Sequence, residues 1–254
     1  MNLLGARKVL ATLAAAGGVC VALAPGSAVA GGQAVGIDVS RFQGDIAWQL
    51  VADSGVQFAF AQASRGSGDD CSVRPKRCGP DRYYASNYLN AAEAGIPVGA
   101  YHRAFVGGET RRQVKVDARE EADLFVSQVG ELRSGDLLPA LDLEAPFDGL
   151  GAGKLRAWAR TWLGRVRSAL EERPIVYTSP TSWAATGNTT EFAQAGHALW
   201  IANWGVSQPS VPAANWAGRG WSVWQYSNSG KVNGIEGRVD LDRLGVGIAE
   251  ISVP

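Results

Sequence analysis

Cysteine and histidine are scarce in this 254-residue chain, which has three of the first and two of the second. A transition-metal site takes three or four such ligands at close spacing. Cys20, Cys71, Cys78, His102 and His197 form no Cys-x-x-Cys or similar pattern, so no metal and no cofactor is expected. Excess charge of one sign is also missing, with 24 basic residues against 24 acidic ones. There is then no electrostatic footprint for nucleic acid or an anionic surface. Neither a P-loop nor a G-x-G-x-x-G turn occurs, which removes the usual nucleotide-binding signatures, and no nucleophilic serine or cysteine stands out. Beyond the first thirty residues no stretch is long and apolar enough to span a membrane.

Those first thirty residues have their own layout. Arg7 and Lys8 precede an apolar run from Val9 to about Ala24, interrupted by Gly17 and Gly18, with Pro25 ending it and "AVA" at 28–30. That order of features is a secretory signal peptide with a small-residue cleavage site. The expected division is therefore residues 1–30 as leader and 31–254 as a single domain, secreted to the extracellular space or cell wall and free of the membrane after cleavage. A chain of that size suits one α/β barrel. Cys20 leaves with the leader. Cys71 and Cys78 then remain, and in an oxidising compartment they read as one disulfide closing the polar loop "DDCSVRPKRCGP", with a metal site as the alternative.

Strand-like and helix-like runs alternate over most of the chain. Apolar runs at 35–40, 58–64, 97–104, 137–144 and 174–179 are separated by helical patterns after Asp45 (a candidate cap), from about Asp81 to Ala94, over roughly 110–129 and over about 153–172. Three further runs at 198–204, 221–227 and 237–244 are joined by Pro, Gly, Asn and Ser loops without convincing helices. Alternating β and α implies a parallel sheet covered by helices. Eight strands imply closure. The fold class is α/β, an irregular TIM-like barrel of about eight strands and four or five helices, its last crossovers lacking helices, acting as a monomer.

In such a barrel the working groups sit at the carboxyl ends of strands. "LLPALDLEAP" (137–146) is a buried strand pattern that nevertheless carries Asp142 and Glu144, two residues apart and so on one face. Asp38, Tyr101, Tyr177, Trp204 and Gln225 fall at other strand ends, and Asp240 lies in the last strand. Several carboxyl groups around one rim suit glycoside hydrolysis, in which one carboxyl donates a proton to the leaving oxygen. Aromatic rings offer flat faces to sugars. His102 reads as a hydrogen-bonded support rather than a base, and Trp48, Trp158 and Trp162 as core.

The segments "GIDVSRFQGDIAW", "AGIPVGAYH", "LPALDLE", "PIVYTSPTSW", "LWIANW" and "VWQYSNSGKVNGIEGRVDLDRL" together resemble the family 25 glycoside hydrolases, secreted lysozymes of the muramidase type. The resemblance spans essentially the whole of residues 31–254. It implies cleavage of the β-1,4 bond between N-acetylmuramic acid and N-acetylglucosamine in bacterial cell-wall peptidoglycan. It also implies Glu144 as general acid, Asp142 positioning and polarising the substrate acetamide, and Asp38, Asp240 and Tyr101 lining the site. Tyr177, Trp204 and Gln225 are further substrate-binding candidates. A covalent route and an acetamide-assisted route both remain open. So do two other functions: a catalytically inactive glycan-binding barrel, and a hexosaminidase acting on another N-acetylated glycan. The chain departs from the family where K-A-T-E-G is common and "QASRG" (62–66) stands here, with Arg65 in the place of Glu.

Overall fold

A computed structural model describes residues 33–67 and 78–254. The leader and Cys71, and with it the expected Cys71–Cys78 bond, lie outside the described residues. In chain order the elements are β1 (Val35–Val39), α1 (Trp48–Asp53), β2 (Phe58–Arg65), β3 (Gly79–Pro80), α2 (Tyr84–Glu93), β4 (Val98–Arg103), α3 (Arg111–Val129), β5 (Ala140–Asp142), α4 (Ala152–Leu170), β6 (Ile175–Thr178), α5 (Pro180–Ala184), α6 (Glu191–Gln194), β7 (Leu199–Ala202), α7 (Pro212–Ala217), β8 (Val223–Gly230) and β9 (Val239–Leu244). The sheet closes because β1 pairs with both β2 and β9, leaving an eight-stranded barrel with β3 as a short antiparallel appendage on β2.

Seven barrel strands are parallel. The eighth, β9, runs antiparallel to both β8 and β1. The β8–β9 connection is therefore a hairpin, and the start of β9 reaches the rim where the other strands end. The last crossovers carry only short helical turns. α5 and α6 span five and four residues. α7 is a six-residue turn whose backbone from Ala213 to Ala217 is left-handed, with φ between 51° and 56°. Such a turn costs about 1–2 kcal/mol per residue. It is held by Trp216, which is buried against Trp183 and donates its Nε1–H to the His197 carbonyl at 2.7 Å.

Alternation along the strands creates two cores. Residues facing outward (Ile37, Val39, Ala59, Ala61, Leu141, Val176, Ile201) meet the helices, with Ala118, Ala122 and Phe125 of α3 and Leu155, Trp158 and Trp162 of α4 beneath the sheet. Residues facing inward (Phe58, Phe60, Ala140, Ile175, Trp200, Val223, Leu244) fill the barrel, and Leu137 and Ile251 plug its lower end. Gly36 and Gly99 leave room for this filling, because a Cβ on either would fall within 2.3–2.5 Å of the Phe58 or Phe60 ring. Helix α3 begins as the sequence suggests, with Thr110 and Gln113 forming a reciprocal capping box. Asp45 does not cap α1. That helix starts later, at Trp48, with Ala47 before it and no side-chain cap.

Candidate active site

The upper end of the barrel is open. A cavity of about 190 Å³ there is lined by Asp38, Tyr101, Asp142, Glu144, Tyr177, Gln225 and Asp240, together with Phe42, Gln62, Arg65, Arg103 and Trp200. All of the predicted site residues except Trp204 thus face one space. Trp204 stands at its edge, 47% exposed, and donates its indole N–H to Gln225 Oε1 at 3.0 Å.

Two polar systems meet in this cavity. The first begins at Gln225, whose Oε1 also accepts from the Tyr177 hydroxyl at 3.1 Å and whose Nε2 donates to Asp38 Oδ2 at 2.6 Å. Asp38 is the cross-strand partner of Asp240, and it hydrogen-bonds to both Asp240 and Asp242. Burial, reinforced by the charges of Asp242 and Asp240, raises the Asp38 carboxyl well above the ordinary carboxylate range. Burial also pushes Asp240 up to about 6 and Asp242 up to about 7. Three carboxyl groups in such contact cannot all ionise. The cluster therefore retains a proton that the three carboxyl groups share, and they titrate as a unit. Asp242 lies one layer deeper, fully buried, and accepts from Trp200 Nε1 at 2.8 Å.

The second system is the D-x-E pair. Arg103 is the register partner of Asp142 on β4. Its Nε lies 3.1 Å from Glu144 Oε1 and 3.5 Å from Asp142 Oδ2, and its other nitrogens bond the carbonyls of Ala104, Glu144 and Ala145. One guanidinium thus offsets the repulsion that two adjacent carboxylates would otherwise suffer. The pair is not symmetric: the Asp142 side chain is 9% exposed and that of Glu144 is 35% exposed. Burial raises the Asp142 carboxyl, Arg103 opposes that rise, and Glu144 adds to it. Asp142 Oδ1 is buried with no hydrogen-bond partner among the described residues.

His102 points the other way. Its Nδ1 meets the Ser64 hydroxyl at 2.8 Å, its Nε2 meets Glu121 Oε2 at 2.6 Å, and its ring stacks on Trp162. Burial, aided by the Arg103 charge, lowers its pKa to about 3, so the imidazole is neutral, donating to Glu121 and accepting from Ser64. A β-bulge between Gln62 and Ser64 makes this contact possible by turning Ser64 outward. The next residues, Arg65 and Arg103, then face the cavity as cross-strand partners.

Arg103, Asp242, Phe42 and Gln62 were not singled out from the sequence. Two of them had a signal. Arg103 lies two residues after Tyr101, so period two puts it on the cavity face beside the strand that carries Asp142. Asp242 stands in "VDLDRL" with the same spacing that drew attention to "LDLE". The exposed Phe42 had none, and Gln62, which continues the inward alternation of Phe58 and Phe60 ahead of the bulge, carries no charge to mark it.

Known proteins share both sequence and fold with this chain. Lysozyme M1 of Streptomyces globisporus is 32% identical over 216 residues, covering 82% of this chain and 67% of that protein. An N,O-diacetylmuramidase of Arthroderma benhamiae is 28% identical and covers 89% and 90% of the two chains. The crystal structure of the bacterial lysozyme from Streptomyces coelicolor superposes with a TM-score of 0.73 at 30% identity, covering 87% of this chain and 95% of that one. The family model described as "Glycosyl hydrolases family 25" matches residues 37–235. With most of its length matched in this way, the chain belongs to family 25 of the glycosyl hydrolases.

Proposed function

We propose that this protein is a peptidoglycan muramidase that hydrolyses the β-1,4 bond between N-acetylmuramic acid and N-acetylglucosamine, with Glu144 as general acid and Asp142 assisting through the substrate's own acetamide. The observation that carries this reading is the unequal pair on β5. Asp142 lines the cavity and has a buried Oδ1 with no hydrogen-bond partner among the described residues, while Glu144 is the more open carboxyl beside it.

Each group suits a different step. Glu144 donates its proton to the glycosidic oxygen as the bond to the anomeric carbon breaks. The acetamide oxygen of the same sugar bonds to that carbon, so no protein nucleophile is required. The Asp142 carboxylate accepts the acetamide N–H, and this bond strengthens as positive charge develops on the nitrogen. Water then attacks the anomeric carbon, passes its proton to the Glu144 carboxylate and reopens the ring. Arg103 keeps both carboxyl groups in register throughout. Asp38 and Asp240, which share a proton with Asp242, offer the sugar both donor and acceptor oxygens, and Tyr101, Tyr177 and Gln225 shape the floor. Trp204 at the edge offers an apolar face to a neighbouring ring.

Export follows from the leader, and in that compartment Cys71 and Cys78 are expected to pair; intact mass of the secreted, non-reduced protein, with and without alkylation, checks this. The function itself is tested by incubating the protein with purified peptidoglycan and identifying new reducing ends by mass spectrometry. Muramic acid at the new ends supports the proposal. Glucosamine ends would make the protein a hexosaminidase of another specificity, and no new ends would leave a glycan-binding barrel.

A further inference from the structure

Arg65 and Arg103 are cross-strand partners at the cavity, but they differ in what they hold. Arg103 is occupied by two carboxylates and three carbonyls. Arg65 has no carboxylate within ion-pair distance among the described residues, and its Nε is buried without an acceptor. Its guanidinium lies against the Phe105 ring at 4.9 Å and the Phe42 ring at 5.9 Å. Burial, together with the charges of Arg41 and Arg103, works against its charged form and outweighs the smaller support from Tyr101 and Asp142. A half-buried cation with like charges nearby and a buried Nε that lacks an acceptor among the described residues is an unfavourable arrangement for the empty protein. It becomes favourable when a ligand brings an anion.

The surroundings preorganise Arg65 for that ligand. The Ser64–His102–Glu121 bonds clamp the backbone immediately before both arginines. The aromatic rings restrict the guanidinium plane, leaving a planar fork of donors suited to a carboxylate. Barrel order places β2 two strands from β5 through β4, roughly 10 Å at ordinary strand spacing. A substituent of a sugar whose glycosidic oxygen lies at Glu144 can cover that distance.

We propose that Arg65 is a specificity-determining residue that binds a carboxylate carried on the muramyl side of the glycan. This rests on the muramidase reading. Of the two sugars, only the muramyl unit bears a 3-O-lactyl acid, and the anion is either that free carboxylate or a carboxylate of the peptide attached through it. A glycan of N-acetylglucosamine alone offers neither.

Three soluble glycan strands separate the possibilities: one with intact stem peptides, one stripped of peptide so that the lactyl carboxylate is free, and one stripped and converted to the lactyl methylamide. Wild type, Arg65→Gln and Arg65→Lys are compared on each, with thermal melting to confirm folding. Arg65→Gln is expected to raise KM about ten- to hundred-fold on a strand bearing the recognised carboxylate, the range for losing one hydrogen-bonded charge contact. Its kcat is expected to change little, and the loss to shrink sharply on the methylamide strand. Arg65→Lys, which keeps the charge without the fork, is expected to recover part of the loss. A loss on the stripped strand identifies the lactyl carboxylate, and a loss confined to the intact strand identifies the peptide. Equal losses on all three strands, or none on any, would overturn the proposal. If wild type cleaves none of them, the muramidase reading fails separately, and calorimetric binding of the same strands applies the same criterion to Arg65.

Discussion

At the residue scale, Asp142 and Glu144 are kept together by Arg103 and kept distinct by burial. Their substitution should therefore have different consequences. Glu144→Gln retains shape but cannot supply a proton, and kcat/KM on peptidoglycan is expected to fall about 10²–10⁴-fold with the fold intact by circular dichroism. Asp142→Asn should also slow the enzyme, through a weaker hold on the acetamide. The double variant should lose less than the product of the two, because the carboxyl groups act as a unit. Near-wild-type turnover by folded Glu144→Gln would remove it as the acid and turn attention to Asp38 or Asp240. The pair itself was legible because period-two spacing within an apolar run is unusual for carboxylates. Its arginine was less visible, since pairing across strands depends on register and not on sequence proximity.

Elements repeat this division. The parallel strands and the long helices α2, α3 and α4 follow from periodicity, because each buries one face. The faces are nearly all apolar, and Glu121 on the buried side of α3 is an exception with a purpose. It completes the Ser64–His102–Glu121 clamp that joins β2, β4 and α3. Ser64→Ala would leave the buried His102 Nδ1 without its donor, at a cost of about 1–3 kcal/mol. Urea unfolding should read that loss, whereas an unchanged midpoint would show that the clamp is not under tension from folding. The late crossovers were legible only as an absence of long helices. The antiparallel direction of β9 was not, because a strand's direction leaves no mark on its own alternation.

For the whole molecule, the buried carboxyl groups set a pH dependence. Asp242 titrates at about 7 in the folded protein, against roughly 3.9 for a solvated aspartate. The native state therefore binds its proton more tightly than the unfolded chain does. That contribution is full below about pH 4 and is lost as pH rises to about 7. His102 acts in the opposite sense. Its pKa is lowered to about 3, so its contribution is present above about 6.5 and is lost as pH falls. Asp242→Asn keeps an acceptor for Trp200 and removes the buried titration. Relative to wild type, it should gain on the order of a few kcal/mol in stability between pH 4.5 and pH 8, a trend that denaturant unfolding at the two values would reveal. A difference independent of pH would mean that Asp242 takes no part in the buried titration.

Composition and periodicity by themselves determined the class of this chain: an α/β barrel of about eight strands, with Asp38, Tyr101, Asp142, Glu144, Tyr177, Gln225 and Asp240 bound for one rim. Alternation and strand order are local properties, and the closure of eight strands does the rest. Tertiary structure alone decided which charges meet. The antiparallel β9 sets Asp240 opposite Asp38 and stacks Asp242 beneath them. Strand register delivers Arg103 to Asp142, and the β2 bulge turns Arg65 inward beside it. These pairings depend on register, strand direction and one inserted residue, and each joins positions far apart in the chain.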